Sequence, residues 1–337
     1  HYITRNRSEY FKMFYSAAGG GVIIALMALN KIHIASLGFG EFTTSFLAGL
    51  NYGLGFMLIH MLHCTVATKQ PAMTAASFAE QVDSNEGSKT VDNKLAKLLI
   101  DVCRSQSVAV FGNVSIAVLL AAGIAWGYAY THGQPLLNEA VTAYQLKSIE
   151  IFTQPTLWYA AIAGVWLFCS GIIAGFFDNR SDYLNLRQRL PFNPLLRKIM
   201  RPEPRRRLAA YIHKHYGSLM GNFIFGMLLG MTGYFGHLFG LPLDIRHVAF
   251  SSANLGYAAI SGHADIFTFM LGLASVLAIG MVNLMVSFSL ALAVALRSRG
   301  TRLGSIRNLL KSFWSQVKAN PLILLYPVQV NNKDNTK

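Results

Sequence analysis

Residues 266–296 read IFTFMLGLASVLAIGMVNLMVSFSLALAVAL, an unbroken run without Asp, Glu, Lys or Arg. A helix needs about 20 apolar residues to cross the roughly 30 Å of bilayer hydrocarbon, so this run is long enough to span it and to tilt or project as well. Working outward, five more runs are equally free of charge: 14–30, 43–66, 107–130, 156–177 and 219–241. The pattern predicts an all-α polytopic membrane helix bundle with six transmembrane helices.

The connections support the same reading. Of the 29 Lys and Arg, 26 lie before the first run, in 67–106, in 178–218 or after 296. Lys31, Lys147 and Arg246 are the others, one in each alternate connection. By the positive-inside rule the cation-rich segments and both ends are expected in the cytoplasm. The expected organisation is a six-span membrane domain over 1–296 and a basic cytoplasmic tail over 297–337.

A net charge of +14 would point to nucleic acid in a soluble protein. Beside anionic headgroups each Lys or Arg gains about 1 kcal/mol, so topology already accounts for the charge and gives no reason to expect direct DNA binding. Cys64, Cys103 and Cys169 contain no CxxC pair and imply neither a disulfide framework nor a structural zinc site. None of the six runs carries a carboxylate, which argues against a pump driven through buried acids.

Three inner segments have helical periodicity. They are 93–105, 205–216 and 306–319, the last with Ile306, Leu309, Leu310, Phe313 and Val317 opposite Arg307, Lys311 and Lys318. Each is expected to lie in the headgroup region or dock on the bundle. Glycine pairs four residues apart, at 49/53, 123/127, 171/175, 226/230 and 236/240, predict close helix approach or a contact between copies of the chain. The stretch 248–262, VAFSSANLGYAAISG, would rise only about 22 Å as a helix, too short to cross comfortably. It is expected to be re-entrant or interfacial, and is the first candidate for lining a cavity, through Asn254 among others.

The candidate binding residues gather around these features. His60 and His63 are three apart beside Cys64, a spacing that could offer a metal two ligands if both sit on one helix face. Asp178, Asn179 and Arg180 follow the fourth run, where a carboxylate and a guanidinium can pair or hold the helix end. Asp244, Arg246 and His247 crowd the outer connection after the fifth run, with His237 nearby. Within the runs, Asn51, Asn113, Asn222 and Asn283 can bridge helices by hydrogen bonds.

The strings NYGLGFMLIHMLHCTVATKQPAMTAA (51–76), GFFDNRSDYLNLRQRL (175–190) and GLPLDIRHVAFSSANLGYA (240–258) resemble a bacterial membrane-protein family labelled site-specific recombinase, of the gonococcal type. The resemblance covers most of the chain from the second run onward. It implies that this chain is the membrane-embedded C-terminal half of a protein about twice as long, and it carries no catalytic residue over. Recombinases need either an Arg/His/Arg set beside a tyrosine or a small α/β serine domain, and neither fits between these spans. The residues therefore lead to a first expectation of small-solute transport or lipid handling, then a membrane scaffold or accessory subunit with a membrane-protein partner, then recombination.

Overall fold

The computed structural model describes residues 6–68, 88–298 and 306–326. Among the described residues the chain is helical, joined by turns and extended connections, with no strand. In chain order the helices used below are α1 (Arg7–Ser36), α2 (Glu41–Met61), α3 (Ser88–His132), α4 (Glu139–Ile149), α5 (Thr156–Tyr183), α6 (Pro202–Phe239), α7 (Val248–Ser261), α8 (Ile266–Ser298) and α9 (Ile306–Ala319). Single-turn helices at Leu186–Arg189 and Pro194–Ile199 lie between α5 and α6.

Six of these, α1, α2, α3, α5, α6 and α8, are long and apolar enough to cross a membrane, as the six runs predict. Local chemistry sets several boundaries. Asn138 caps α4 by accepting the Val141 N–H at 2.9 Å, and Asp265 caps α8 by accepting the Thr268 N–H at 3.0 Å; both satisfy first-turn amides that have no partner inside the helix. Gly240 closes α6 with φ of +63°, a left-handed conformation that costs glycine least.

The chain divides into two compact units. One comprises Leu29–His63 and Trp166–Ile245. Its centre is the crossing of α2 on α6, where a Cβ on Gly226 would stand 2.1 Å from the Gly53 nitrogen and one on Gly230 would stand 2.3 Å from the Gly49 Cα. Two backbones can meet this closely only where both faces lack side chains. Below the glycines Phe56 and Phe225, both fully buried, pack with ring centroids 5.1 Å apart.

The other unit comprises His1–Ala28, Cys64–Val165 and Arg246–Lys337. Its core forms around α7, of which Val248, Leu255, Tyr257 and Ala258 have no exposed surface. Gly256 brings α7 onto α3, since a Cβ there would lie 2.5 Å from the Val118 carbonyl oxygen. On α8, Gly280 makes room for Val248 in the same way. A second cluster joins Leu95, Leu98 and Leu99 of α3, Phe288 and Leu292 of α8, and Leu309 and Phe313 of α9.

Several expectations are corrected by these elements. The second span was expected to continue to residue 66, yet α2 stops at Met61 and residues 64–68 are irregular and enter the other unit. Polar backbone contacts described below hold them there, so hydropathy alone misplaces the helix end. Segments 93–105 and 205–216 are not separate interfacial helices but the beginnings of α3 and α6; nothing in the sequence between them and the spans interrupts the helix. The segment 248–262 forms the short helix α7, most of whose residues are buried in the protein. Of the five glycine pairs, 49/53 and 226/230 meet each other, whereas Gly123 and Gly127 have open space where a side chain would be. Residues 69–87 of the inner connection, and part of the expected tail, lie outside the described residues.

Candidate functional site

The unit built around α7 contains a buried polar seam at the N-terminus of that helix. The extended residues before α7 bring Arg246 and His247 inward rather than leaving them in a solvated outer loop. His247 is 1% exposed and is the N-cap of α7. Its Nδ1 accepts the Ala249 N–H at 3.4 Å, and its Nε2 lies 3.5 Å from the Thr68 hydroxyl. Because that hydroxyl donates to the Ala67 carbonyl at 2.5 Å, its free lone pair faces the ring, and this assigns the Nε2–H tautomer to His247.

Asn283 of α8 completes the cap. It is wholly buried, accepts the Val248 N–H on Oδ1 at 3.0 Å, and donates through Nδ2 to the carbonyls of Ala160 at 2.7 Å and Arg246 at 2.9 Å. One side-chain amide thus joins α5, α7 and α8. Asn283 lies 17 residues into α8 from Ile266, about 25 Å along its axis. The start of α7 is therefore deep within the unit. Arg246 turns its Nε to the Ser148 carbonyl at 2.7 Å and its guanidinium over the Tyr159 ring at 5.3 Å, so backbone oxygen and an aromatic face balance its charge.

Residues 64–68 form the other wall. The Thr65 N–H donates to the Ser16 carbonyl at 3.0 Å, and the two hydroxyls are 2.8 Å apart. Asn113 of α3 accepts the Ala67 N–H at 2.7 Å and donates to the carbonyls of Ala17 and of Thr65, the latter at 3.0 Å. Gln106 accepts the Thr68 N–H at 3.1 Å. Gly20 is required beside this strand-like segment, because a Cβ there would meet the Thr65 oxygen at 2.3 Å. Thr68 itself has φ of +70°, an unfavourable conformation for a β-branched residue that costs about 1–3 kcal/mol.

Of the remaining candidates, all but Asn254 belong to the α2–α6 unit. Asn51 accepts from Asn30 at 2.9 Å, while buried Asn222 donates back to the Ser218 carbonyl of its own helix at 2.8 Å. His60 meets His215, with Nε2 and Nδ1 3.1 Å apart. His63 lies beyond the end of α2 with φ of +55°, so the expected shared helix face of His60 and His63 is not formed. Among the described residues no three His, Cys, Asp or Glu side chains are placed to hold a metal.

Asp178 does not pair with Arg180 but accepts the Gly217 N–H at 2.9 Å, where any Cβ on Gly217 would strike the carboxylate. Asn179 and Arg180 are exposed near the end of α5. His237 faces Glu41 at 3.4 Å, both largely exposed, and Asp244 accepts its neighbour's Ile245 N–H at 2.8 Å. Asn254 is half-buried midway along α7.

Thr65, Thr68, Gln106, Ser148 and His215 escaped the sequence reading. Their partners are backbone groups or residues far along the chain, which periodicity does not reveal. The interrupted hydropathy at CTVAT, 64–68, was the one local sign.

Six apolar helices and a buried short helix with an internal polar cap define a multi-pass membrane protein. The family model for site-specific recombinase matches residues 1–327. The chain belongs to that family, as the strings at 51–76, 175–190 and 240–258 indicate. No curated protein and no solved structure matches it.

Proposed function

We propose that the protein transports a small polar solute or handles lipid in a bacterial inner membrane, with its cation-rich ends cytoplasmic. The observation that carries this reading is the start of α7, a half-length helix whose first amides are met inside the unit by Asn283 and His247. Irregular backbone at membrane depth is retained where protein or a polar cavity satisfies it. Half-helix N-termini and unwound segments are also the means by which many transporters hold solutes and coupling ions. The seam contains both kinds of group, N–H donors at α7 and carbonyls at 64–68, each met by a protein partner.

In this arrangement Thr68 and His247 form the longest polar contact of the seam, and a solute or water would enter by parting them. Purified protein in liposomes should give tracer flux or lipid scrambling above empty vesicles, reduced by Thr68→Val and His247→Ala. Activity equal to empty vesicles across a panel of ions, small solutes and labelled lipids refutes the proposal.

The family description favours a second reading, participation in site-specific recombination. Strand exchange by the purified chain on paired DNA sites tests it directly. Reporter fusions at both ends, active only in the cytoplasm, test the orientation.

A further inference from the structure

We propose that the outward face of α9 binds acidic phospholipid at the membrane surface. Helix α9 has two faces with different duties. Leu309, Phe313 and Val317 turn inward, Leu309 and Val317 being 7% exposed, and the docked side is fixed by Ser312 donating to the Asn93 side chain at 2.5 Å. The opposite face presents Arg307, Leu310, Lys311, Trp314 and Lys318, all exposed, at intervals of three and four residues that place them along one stripe.

The depth of this stripe selects its partner. The α8 members of the cluster that α9 shares with α3, Phe288 and Leu292, lie nine and five residues before Arg297, the first charge after the apolar run. Those separations correspond to about 14 and 8 Å of helix. Helix α9 is thus level with the last turns of a membrane-spanning segment, where an amphipathic helix sits about 5–10 Å into the headgroup and acyl boundary. Leu310 is 47% and Trp314 55% exposed, and they alternate with the three cations. This arrangement places the indole and isobutyl groups among acyl chains and the cations against phosphate. A nucleic acid would meet the charge but would leave Leu310 and Trp314 unmatched, and it cannot reach that depth in a bilayer.

The test uses the full chain with Trp126→Phe, Trp158→Phe and Trp166→Phe, leaving Trp314 as its one tryptophan, excited at the red edge where tyrosine does not absorb. It is reconstituted in vesicles of phosphatidylcholine alone or mixed with phosphatidylglycerol, each with brominated acyl chains. Quenching of Trp314 by bromine should be stronger in the acidic vesicles. The combined Arg307→Gln, Lys311→Gln and Lys318→Gln variant, all at exposed sites, should lose that difference while retaining the parent's helical circular dichroism. Equal quenching in both vesicle types overturns the proposal. So does a Trp314 that bromolipid leaves bright but added duplex DNA shields from aqueous acrylamide, which would assign the face to nucleic acid.

Discussion

Replacing Asn283 by alanine tests the structural logic of the α7 cap. The side chain makes three hydrogen bonds with no exposure to solvent. Hydrogen bonds between membrane helices average about 0.6 kcal/mol each, so three set a floor of roughly 2 kcal/mol. The Val248 N–H is then left without its acceptor, and an orphaned buried donor costs about 1–3 kcal/mol. The expected loss is about 2–5 kcal/mol, the upper part applying if no water fills the gap. The assay is reversible unfolding in mixed micelles, followed by helical circular dichroism. Asn51→Ala is the comparison, because half-buried Asn51 meets Asn30 at a less enclosed position, and it should cost about 1 kcal/mol or less. If Asn283→Ala destabilises no more than Asn51→Ala, the buried cap does not hold α7 in place. Asn283→Asp should cost no less than alanine, since it keeps the acceptor for Val248 but sets a buried carboxylate against the Ala160 and Arg246 carbonyl oxygens.

Gly226→Ala should destabilise by about 1–3 kcal/mol through overpacking, because its Cβ would meet the Gly53 backbone, whereas Gly123→Ala, open on the same measure, should be close to neutral in the same unfolding assay. Arg104, with 5% of its side chain exposed, bonds Asp101 at 2.6 Å and the Ile323 carbonyl at 3.3 Å; Arg104→Ala should cost about 3 kcal/mol by stranding a largely buried carboxylate, and Asp101→Asn added to it should recover part of the loss. Asp265 has its carboxyl held below the usual value by hydrogen bonds from the Thr268 side chain and backbone. Its contribution is therefore present above the ordinary carboxylate pKa and disappears as pH falls through the lowered folded value. Asp265→Asn should flatten that acid limb of the stability curve, and an unchanged limb would refute the assignment.

The spanning helices were legible because hydrocarbon imposes a blunt requirement: 20 or so residues without charge, as at 266–296, read the same way in almost any arrangement. The 306–319 helix was equally clear from its two faces, and the 248–262 segment from its insufficient length. Which helices pair was not legible. The glycines at 49/53 and 123/127 have identical spacing, yet the first pair meets α6 and the second meets nothing. Spacing describes a face, while packing depends on a partner far away in sequence. The same limit explains His60, whose ring meets His215, 155 residues further along the chain. Arg246 and His247 looked like members of a solvated charge cluster, because no local signal shows that an extended segment will carry them inward onto carbonyl oxygens. Asn283 was recognised as a bridging amide, but its acceptors and donor are main-chain atoms, which every residue possesses and no side-chain pattern marks.

The amide that Asn283 satisfies lies 35 residues earlier in the chain. During synthesis, therefore, α7 emerges well before the group that completes its first turn, and Asn113, which waits for nothing downstream, cannot substitute for it. Closure of this cap therefore waits for α8, and a polypeptide cut anywhere between α7 and Asn283 would leave the Val248 N–H without its acceptor.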